Sequence, residues 1–246
     1  MYGRKYVLRL FDGYKLKSMA AAPPNPTTFA RQTFTANGNY TVPEGVTLLG
    51  IFCVGPGGAG GNSTTVNEEA YGGGGGAYSW TQIACTPGQV YAVVVAAGTD
   101  TSVKIGATTY CMAKAGTAGT LVARGTGGTA AASVGTLKYS GGDGNGSPGN
   151  KIGGGGGGGA GDQGNGTGGL TQQAGGTGGT ATYISNPVAT GGAGGSSANG
   201  STGVSYGGGG GGAGSTSHTG GPGAPGICYI TGFQMAPHFL REFVAM

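Results

Sequence analysis

The sequence predicts an all-β fold: a β-sandwich (jelly-roll-like) body joined to a packed bundle of polyglycine II helices, with little or no α-helix. Glycine accounts for 63 of the 246 residues, and many glycines stand in runs such as 72–76, 153–159 and 207–212. Apolar stretches rich in β-branched and aromatic residues flank these runs on both sides, as strands do. Helical periodicity is absent before the C-terminal tail. The flanking strands argue against a disordered glycine-rich chain.

Residues 1–31 are expected to form a docking arm followed by a proline-rich linker. Basic and apolar side chains alternate here, and Pro23, Pro24 and Pro26 favour an extended spacer. The arm carries a net charge of +5, so the remaining residues sum to −1. A basic face on the folded part, and hence a nucleic-acid partner, is therefore not expected. Either the arm docks onto another protein or it folds back on its own domain. The docking residues are expected to be Arg4, Lys5, Tyr6, Leu8, Arg9, Leu10 and Phe11.

Residues 32–233 are expected to form one glycine-rich β domain. A turn at Asn37-Gly38 divides two short strands between residues 33 and 46. The run TLLGIFCV is continuously apolar, as in a strand buried on both faces. The other predicted strands follow in order. The full set after the first turn is Thr47–Val54, Ala77–Cys85, Gln89–Ala96, Ser102–Ile105, Thr108–Ala113, Thr120–Arg124 and Ile227–Phe233.

The glycine runs, placed mainly at residues 125–226, are predicted to pack backbone against backbone. Polyglycine can form the polyproline II helix, which has three residues per turn and lateral N–H and C=O groups. A hydrogen bond contributes about 0.5–1.5 kcal/mol, whereas ordering one residue costs about 1–2 kcal/mol. One run alone is therefore unstable, and only a laterally bonded bundle would hold. If the runs alternate in direction, the spacers between them lie at the two ends of the bundle.

The four cysteines are Cys53, Cys85, Cys111 and Cys228, each in or beside an apolar strand-like segment. None forms a CxxC pair, so a zinc site is not expected. They are either buried free thiols or members of one or two disulfides, and the sequence does not choose among the pairings. No cofactor is expected.

Three motifs resemble the glycine-rich domain of bacteriophage tail fibre and tail spike proteins. They are FTANGNYTVPEGVT at Phe34–Thr47, TPGQVYAVVVAAG at Thr86–Gly98 and GAPGICYI at Gly223–Ile230. The glycine block is also similar to phage tail adhesins built from layered polyglycine II helices. The resemblance covers residues 32–233.

This resemblance implies a virion protein at the tail tip or fibre. Its loops between glycine runs would recognise a bacterial surface protein or glycan, and its N-terminal arm would bind other tail or virion proteins. A homotrimer is expected. The alternative is a structural head fibre or decoration protein, in which the rigid bundle is a spacer and the loops bind nothing specific. The spacer tyrosines would then cap the glycine bundle or pack onto the strands. The candidate receptor-binding residues are Asn67, Tyr71, Tyr183, Ile184, Asn186, Asn199, Tyr206 and His218.

An enzyme is not expected, because the chain has only His218 and His238 and its carboxylates outside the arm are scattered. No nucleophile elbow or phosphate-binding loop occurs. The tail at residues 234–246 is apolar, with Phe239, Leu240 and Phe243. This tail is expected either to seal the body or to contact a neighbouring subunit.

Overall fold

The computed structural model describes residues 27–64, 68–146, 152–170, 175–176, 178–179, 189–215 and 217–234. The predicted docking residues of the arm and the tail after residue 234 lie outside this part of the chain. The described residues form ten β-strands and no helix. The all-β prediction is therefore confirmed for them.

All strand pairings between named strands are antiparallel. One sheet has the order β1-β10-β4-β5-β9, with β2 also paired to β10, and the other has the order β3-β6-β7-β8. The strands are β1 (Thr27–Thr28), β2 (Gln32–Phe34), β3 (Gly38–Thr41), β4 (Leu48–Val54), β5 (Tyr78–Ala84), β6 (Val90–Val94), β7 (Thr101–Ile105), β8 (Thr108–Ala113), β9 (Leu137–Tyr139) and β10 (Ile227–Gln234).

The core lies between the two sheets and is built from alternate residues of their strands. Leu49, Ile51 and Cys53 of β4 are all fully buried, and the opposite sheet contributes residues such as Tyr91 and Val103. Because side chains alternate between the two faces of a strand, the intervening residues of β4 point to the outer face of the six-stranded sheet.

The predicted strands correspond closely to those observed, with three exceptions. The prediction of a strand at Thr120–Arg124 is wrong. Here Thr120 Oγ1 accepts hydrogen bonds from the backbone N–H groups of Val122 (3.2 Å) and Ala123 (3.0 Å) and so closes a tight turn. Strands β1 and β9 are not predicted, since two or three residues are too few to show a pattern.

The chain passes directly from strands into glycine segments. Val54 ends β4 and leads into segment 55–61, which runs outward, and segment 71–77 returns to β5. Successive segments continue to alternate in direction. Segments that precede residue 125 bond to the later ones and therefore belong to the same block. The segments are 55–61, 71–77, 114–120, 123–128, 141–146, 153–161, 164–169, 175–176 with 178–179, 189–195, 198–204, 207–214 and 219–226.

Segment 71–77 shows how the backbone groups are satisfied. Its residues donate to three neighbours in rotation, and every third residue returns to the same neighbour over N···O distances of 2.7–3.0 Å. Its carbonyl groups accept from three further segments, so six neighbours surround it. This accounts for its buried backbone N–H and C=O groups. The N–H groups of Gly72 and Gly75 donate to segment 141–146, those of Gly73 and Gly76 to segment 207–214, and those of Gly74 and Ala77 to segment 114–120. The carbonyl groups of segment 71–77 accept from N–H groups of segments 55–61, 123–128 and 153–161.

Close approach of the segments explains the glycines. A Cβ atom added to Gly72, Gly73 or Gly74 would lie closer than 3.0 Å to a carbonyl oxygen of a neighbouring segment, in each case a different one. Real Cβ atoms essentially never approach so closely. Side chains are therefore excluded by the spacing of the segments.

Candidate functional site

The connections between glycine segments at the end remote from the sheets form a surface that we term the far face. Because segment 55–61 leaves β4 and segment 71–77 returns to β5, the connection between them lies at this end. Other connections reach the same end. The described residues of the far face are 62–64, 68–71, 120–124, 145–146, 170, 196–199 and 217–219.

Tyr71, a predicted binding residue, stands at the far end of its segment and is half-buried. Its backbone N–H donates to Thr120 O, and its carbonyl oxygen accepts from Gly61 N–H, both at 2.9 Å. Its ring packs on Gly146, where an added Cβ would overlap the ring. The backbone of Tyr71 is thus fixed by two neighbouring segments, and one side of its ring is covered.

Asn199 and His218 lie on connections that bond to one another. Asn199 Oδ1 accepts from Thr219 N–H at 3.0 Å, and the carbonyl oxygen of His218 accepts from Ser63 N–H at 3.0 Å. Asn62 Oδ1 accepts from Gly220 N–H at 2.9 Å. These bonds join the connections near residues 62, 199 and 218 into one surface. The Asn199 side chain is exposed and that of His218 is half-buried.

The far face also contains residues that the sequence did not single out. Val122 and Leu170 are 88% and 58% exposed. Asn62 and Asn145 use their side-chain amides to hold the surface together, and Asn145 Nδ2 donates to Gly169 O at 2.9 Å. Their sequence signal was an asparagine or an aliphatic residue next to the end of a glycine run, which is too common in this chain to be selective.

One described candidate, Tyr206, does not join this surface. Tyr206 lies at the sheet end of segment 207–214 and packs against the buried cluster of Val54, Tyr78, Ala160 and Ile227. The other four predicted receptor-binding residues fall outside the described part of the chain. These are Asn67, Tyr183, Ile184 and Asn186.

The four cysteines are free thiols. Cys53 and Cys228 are paired in register across β4 and β10, with their Sγ atoms 3.8 Å apart. Burial raises the pKa values of the Cys53 and Cys111 thiols well above their ordinary value. Both thiols are therefore protonated core residues at neutral pH.

The described residues contain no group of three or more His, Cys, Asp or Glu side chains arranged to hold a metal ion. They also contain no helix long and apolar enough to cross a membrane.

Among known protein families, the model of the glycine-rich domain (Gly_rich_2) matches residues 32–232. The matched range contains the core strands β2 to β9, most of β10 and all the glycine segments. No curated protein matches the chain.

Proposed function

The chain belongs to the glycine-rich domain family, and from this premise we propose that it is a non-enzymatic bacteriophage tail protein whose far face is the receptor-binding tip. The observation that carries the proposal is the far face itself. Its exposed connections stand on a block whose segments are hydrogen-bonded to one another on several sides. Recognition residues are commonly found on loops held by such a rigid scaffold.

We further propose that the glycine segments are polyglycine II helices. The support is the three-residue repeat of hydrogen-bond partners in segment 71–77, which is the repeat of this helix. Six neighbours around one segment suit a rod that has lateral N–H and C=O groups on all sides. Amide hydrogen exchange provides the test, because residues 72–76 should be as protected as strand β5. Exchange at the rate of an unfolded peptide would contradict both the helices and the rigid scaffold.

The chemistry of the far face suits a bacterial surface protein or glycan. Amide and hydroxyl groups supply adaptable hydrogen bonds, while Tyr71, Val122 and Leu170 supply apolar contact area. The N-terminal arm would attach the protein to other virion components, and the assembly would be a homotrimer at the tail tip or fibre.

A structural role, as a head fibre or decoration protein, is the second candidate. The observation that favours it is the use of Asn62, Asn145 and Asn199 to bond neighbouring connections. In that case, the polar side chains of the far face close the end of the block and bind no receptor.

Adsorption competition distinguishes the two roles. Purified full-length protein is added to bacteria on which the parent phage forms plaques, and phage adsorption is then measured. A receptor-binding tip should reduce adsorption in a saturable manner, and the double variant Val122→Asp/Leu170→Asp should lose this effect. Val90→Asp is the matched control, since Val90 is 48% exposed on a strand of the four-stranded sheet.

Two outcomes would count against the tip. Wild-type protein that neither binds the cells nor slows adsorption would remove the support for receptor binding. Antibody labelling of the capsid, with no label at the tail, would favour the structural role.

A further inference from the structure

The outer face of the six-stranded sheet carries a row of apolar side chains that the proposed function does not use. Residues of four neighbouring strands stand side by side in register: Tyr229 beside Phe52, Phe52 beside Trp80, and Trp80 beside Leu137. The first three are half-buried and Leu137 is 38% exposed. They lie on the face opposite to the core residues Ile51 and Cys53 because side chains alternate along a strand.

A groove of 340 Å³ opens along this row. Its apolar walls are Phe52, Tyr78, Trp80 and Leu137, and the ring centroids of Phe52 and Trp80 are 6.2 Å apart. Pockets for small molecules have volumes of about 300–1,000 Å³, so the groove suits a ligand at the small end of this range.

Two polar side chains complete the groove, and both come from the glycine block. Segment 153–161 ends in a tight turn closed by a hydrogen bond from Gly161 N–H to Gly164 O at 3.1 Å. The two central residues of this turn, Asp162 and Gln163, line the groove. Asp162 is 2% exposed whereas Gln163 is exposed. The groove therefore adjoins a nearly fully buried acidic residue and has an exposed amide at its rim.

We propose that this groove binds a saccharide, with one sugar ring stacked on Trp80 and its edge against Phe52, whose ring is tilted by 46° to that of Trp80. The C–H face of a sugar ring is apolar and packs against an aromatic ring, while the hydroxyl groups at its edge need hydrogen-bond partners. The exposed amide of Gln163 both donates and accepts such bonds. Ligand sites typically have a mainly apolar surface and a small number of polar groups that orient the ligand.

The arrangement of the rings favours a flat ligand over a compact organic cation. A cation site needs aromatic faces within about 6 Å of one charge, as in an aromatic cage. Here the rings follow one another across a sheet and do not surround a point. One cation already occupies part of the row, since the Arg31 guanidinium carbon lies 5.3 Å from the centroid of the Tyr229 ring.

The proposed site is separate from the far face and does not depend on it. It lies where the sheet meets the glycine block. A variant that loses receptor binding at the far face should still bind a saccharide in the groove. A variant that loses saccharide binding should still bind the receptor.

Trp80 is the only tryptophan of the chain, so tryptophan fluorescence reports directly on the groove. Full-length protein is titrated with N-acetylglucosamine, galactose, rhamnose and mannose, each as the free sugar and as oligosaccharides of the same sugar. We expect a saturable change in emission with at least one oligosaccharide. Calorimetry with that sugar should show at least a tenfold loss of affinity in Trp80→Ala and a several-fold loss in Gln163→Ala.

Two variants separate binding from folding. Trp80→Phe keeps an aromatic face and should retain most of the affinity, and thermal unfolding shows whether Trp80→Ala still folds. Val122→Ala, on the far face, should bind the sugar as the wild type does.

Several results would overturn the proposal. One is the absence of any emission change or heat with all the sugars. A response to tetramethylammonium alone would indicate a cation site. An increase in acrylamide quenching in full-length Phe239→Asp/Phe243→Asp would show that the chain's own tail fills the groove. Quenching that falls as protein concentration rises would show that a second copy covers it.

Discussion

The sheet body and the glycine block are held together in opposite ways. In the body, side chains such as Leu49 and Ile51 are removed from water between two sheets, and burial of apolar area contributes about 25 cal/mol per Å². In the block there are few side chains to bury, and the main chains bond to one another. The body should therefore be damaged when side-chain atoms are removed, and the block when they are added.

The largest expected effect is in the body. Leu49→Ala removes a side chain that is 0% exposed, and such substitutions cost about 2–5 kcal/mol because the cavity only partly collapses. The free energy of unfolding should be measured by denaturant titration. Val90→Ala, at a half-exposed position of the other sheet, is the control and should cost far less. Equal losses in the two variants would mean that the space between the sheets is not a tightly packed core.

In the block, the smallest possible addition should be harmful. A methyl group at Gly74 would overlap the carbonyl group of Thr126, and overpacking of this kind costs about 1–3 kcal/mol. Elsewhere, replacement of glycine by alanine often stabilises a protein by about 0.4–1 kcal/mol through the unfolded state. Gly74→Ala should therefore lower the free energy of unfolding, whereas replacement of glycine by alanine often raises it.

Gly164 supplies the matched control for this substitution. It also belongs to a glycine segment, but nothing lies within 4 Å of a Cβ added there, and its φ is not in the positive range. Gly164→Ala should leave the midpoint of unfolding unchanged or raise it slightly. If Gly74→Ala were equally neutral, the segments would not be packed backbone against backbone.

The pH dependence of stability should come mainly from the body. Burial raises the pKa values of Cys53 and Cys111 above the ordinary 9.0, so the folded state keeps protons that the unfolded state releases. The free energy of unfolding should therefore be constant below that pH and fall above it, by up to about 1.4 kcal/mol per pH unit for each group. Chemical unfolding between pH 7 and pH 10.5 tests this. The double variant Cys53→Ala/Cys111→Ala should show a shallower decline, and an unchanged slope would assign the effect to other groups.

The two regions also differ in how far the sequence predicts them. The strands of the body follow from local patterns, and the strand Thr108–Ala113 was predicted to the residue. In the block, the composition predicted backbone packing but not the partners, since all glycines are chemically alike. The bundle was therefore placed mainly at residues 125–226, without segments 55–61, 71–77 and 114–120. Thr120–Arg124 looked like a strand because its residues favour one, yet the Thr120 hydroxyl closes a turn there.

The candidate site was predictable only in part for the same reason. Tyr71, Asn199 and His218 follow or precede glycine runs at the far end, and so does the missed Asn62. Tyr206 has the same local signal but stands at the sheet end. Counting the segments along the chain would have separated these cases. The chain reaches the far face after an odd number of segments and returns to the sheets after an even number.

The smallest expected effect compares one ion pair beside the body with one in the block. Lys114 Nζ lies 2.7 Å from Asp100 Oδ2, and Asp100 Oδ1 also accepts from Ala115 N–H at 2.9 Å. Arg124 Nη2 lies 3.7 Å from Asp143 Oδ2, with the two side chains 60% and 46% exposed. Exposed pairs contribute about 0.2–1 kcal/mol. Lys114→Met should therefore cost an amount within that range, and Arg124→Met less.

The measurement is the denaturant midpoint in low salt and in 1 M NaCl, because salt screens exposed charges. The difference between wild type and Lys114→Met should shrink in high salt, whereas Arg124→Met should match the wild type in both. A larger loss in Arg124→Met would mean that side-chain charges, and not the main chain alone, help to hold the glycine block together. The sheet body and the glycine block would then differ only in how much side chains contribute to their stability.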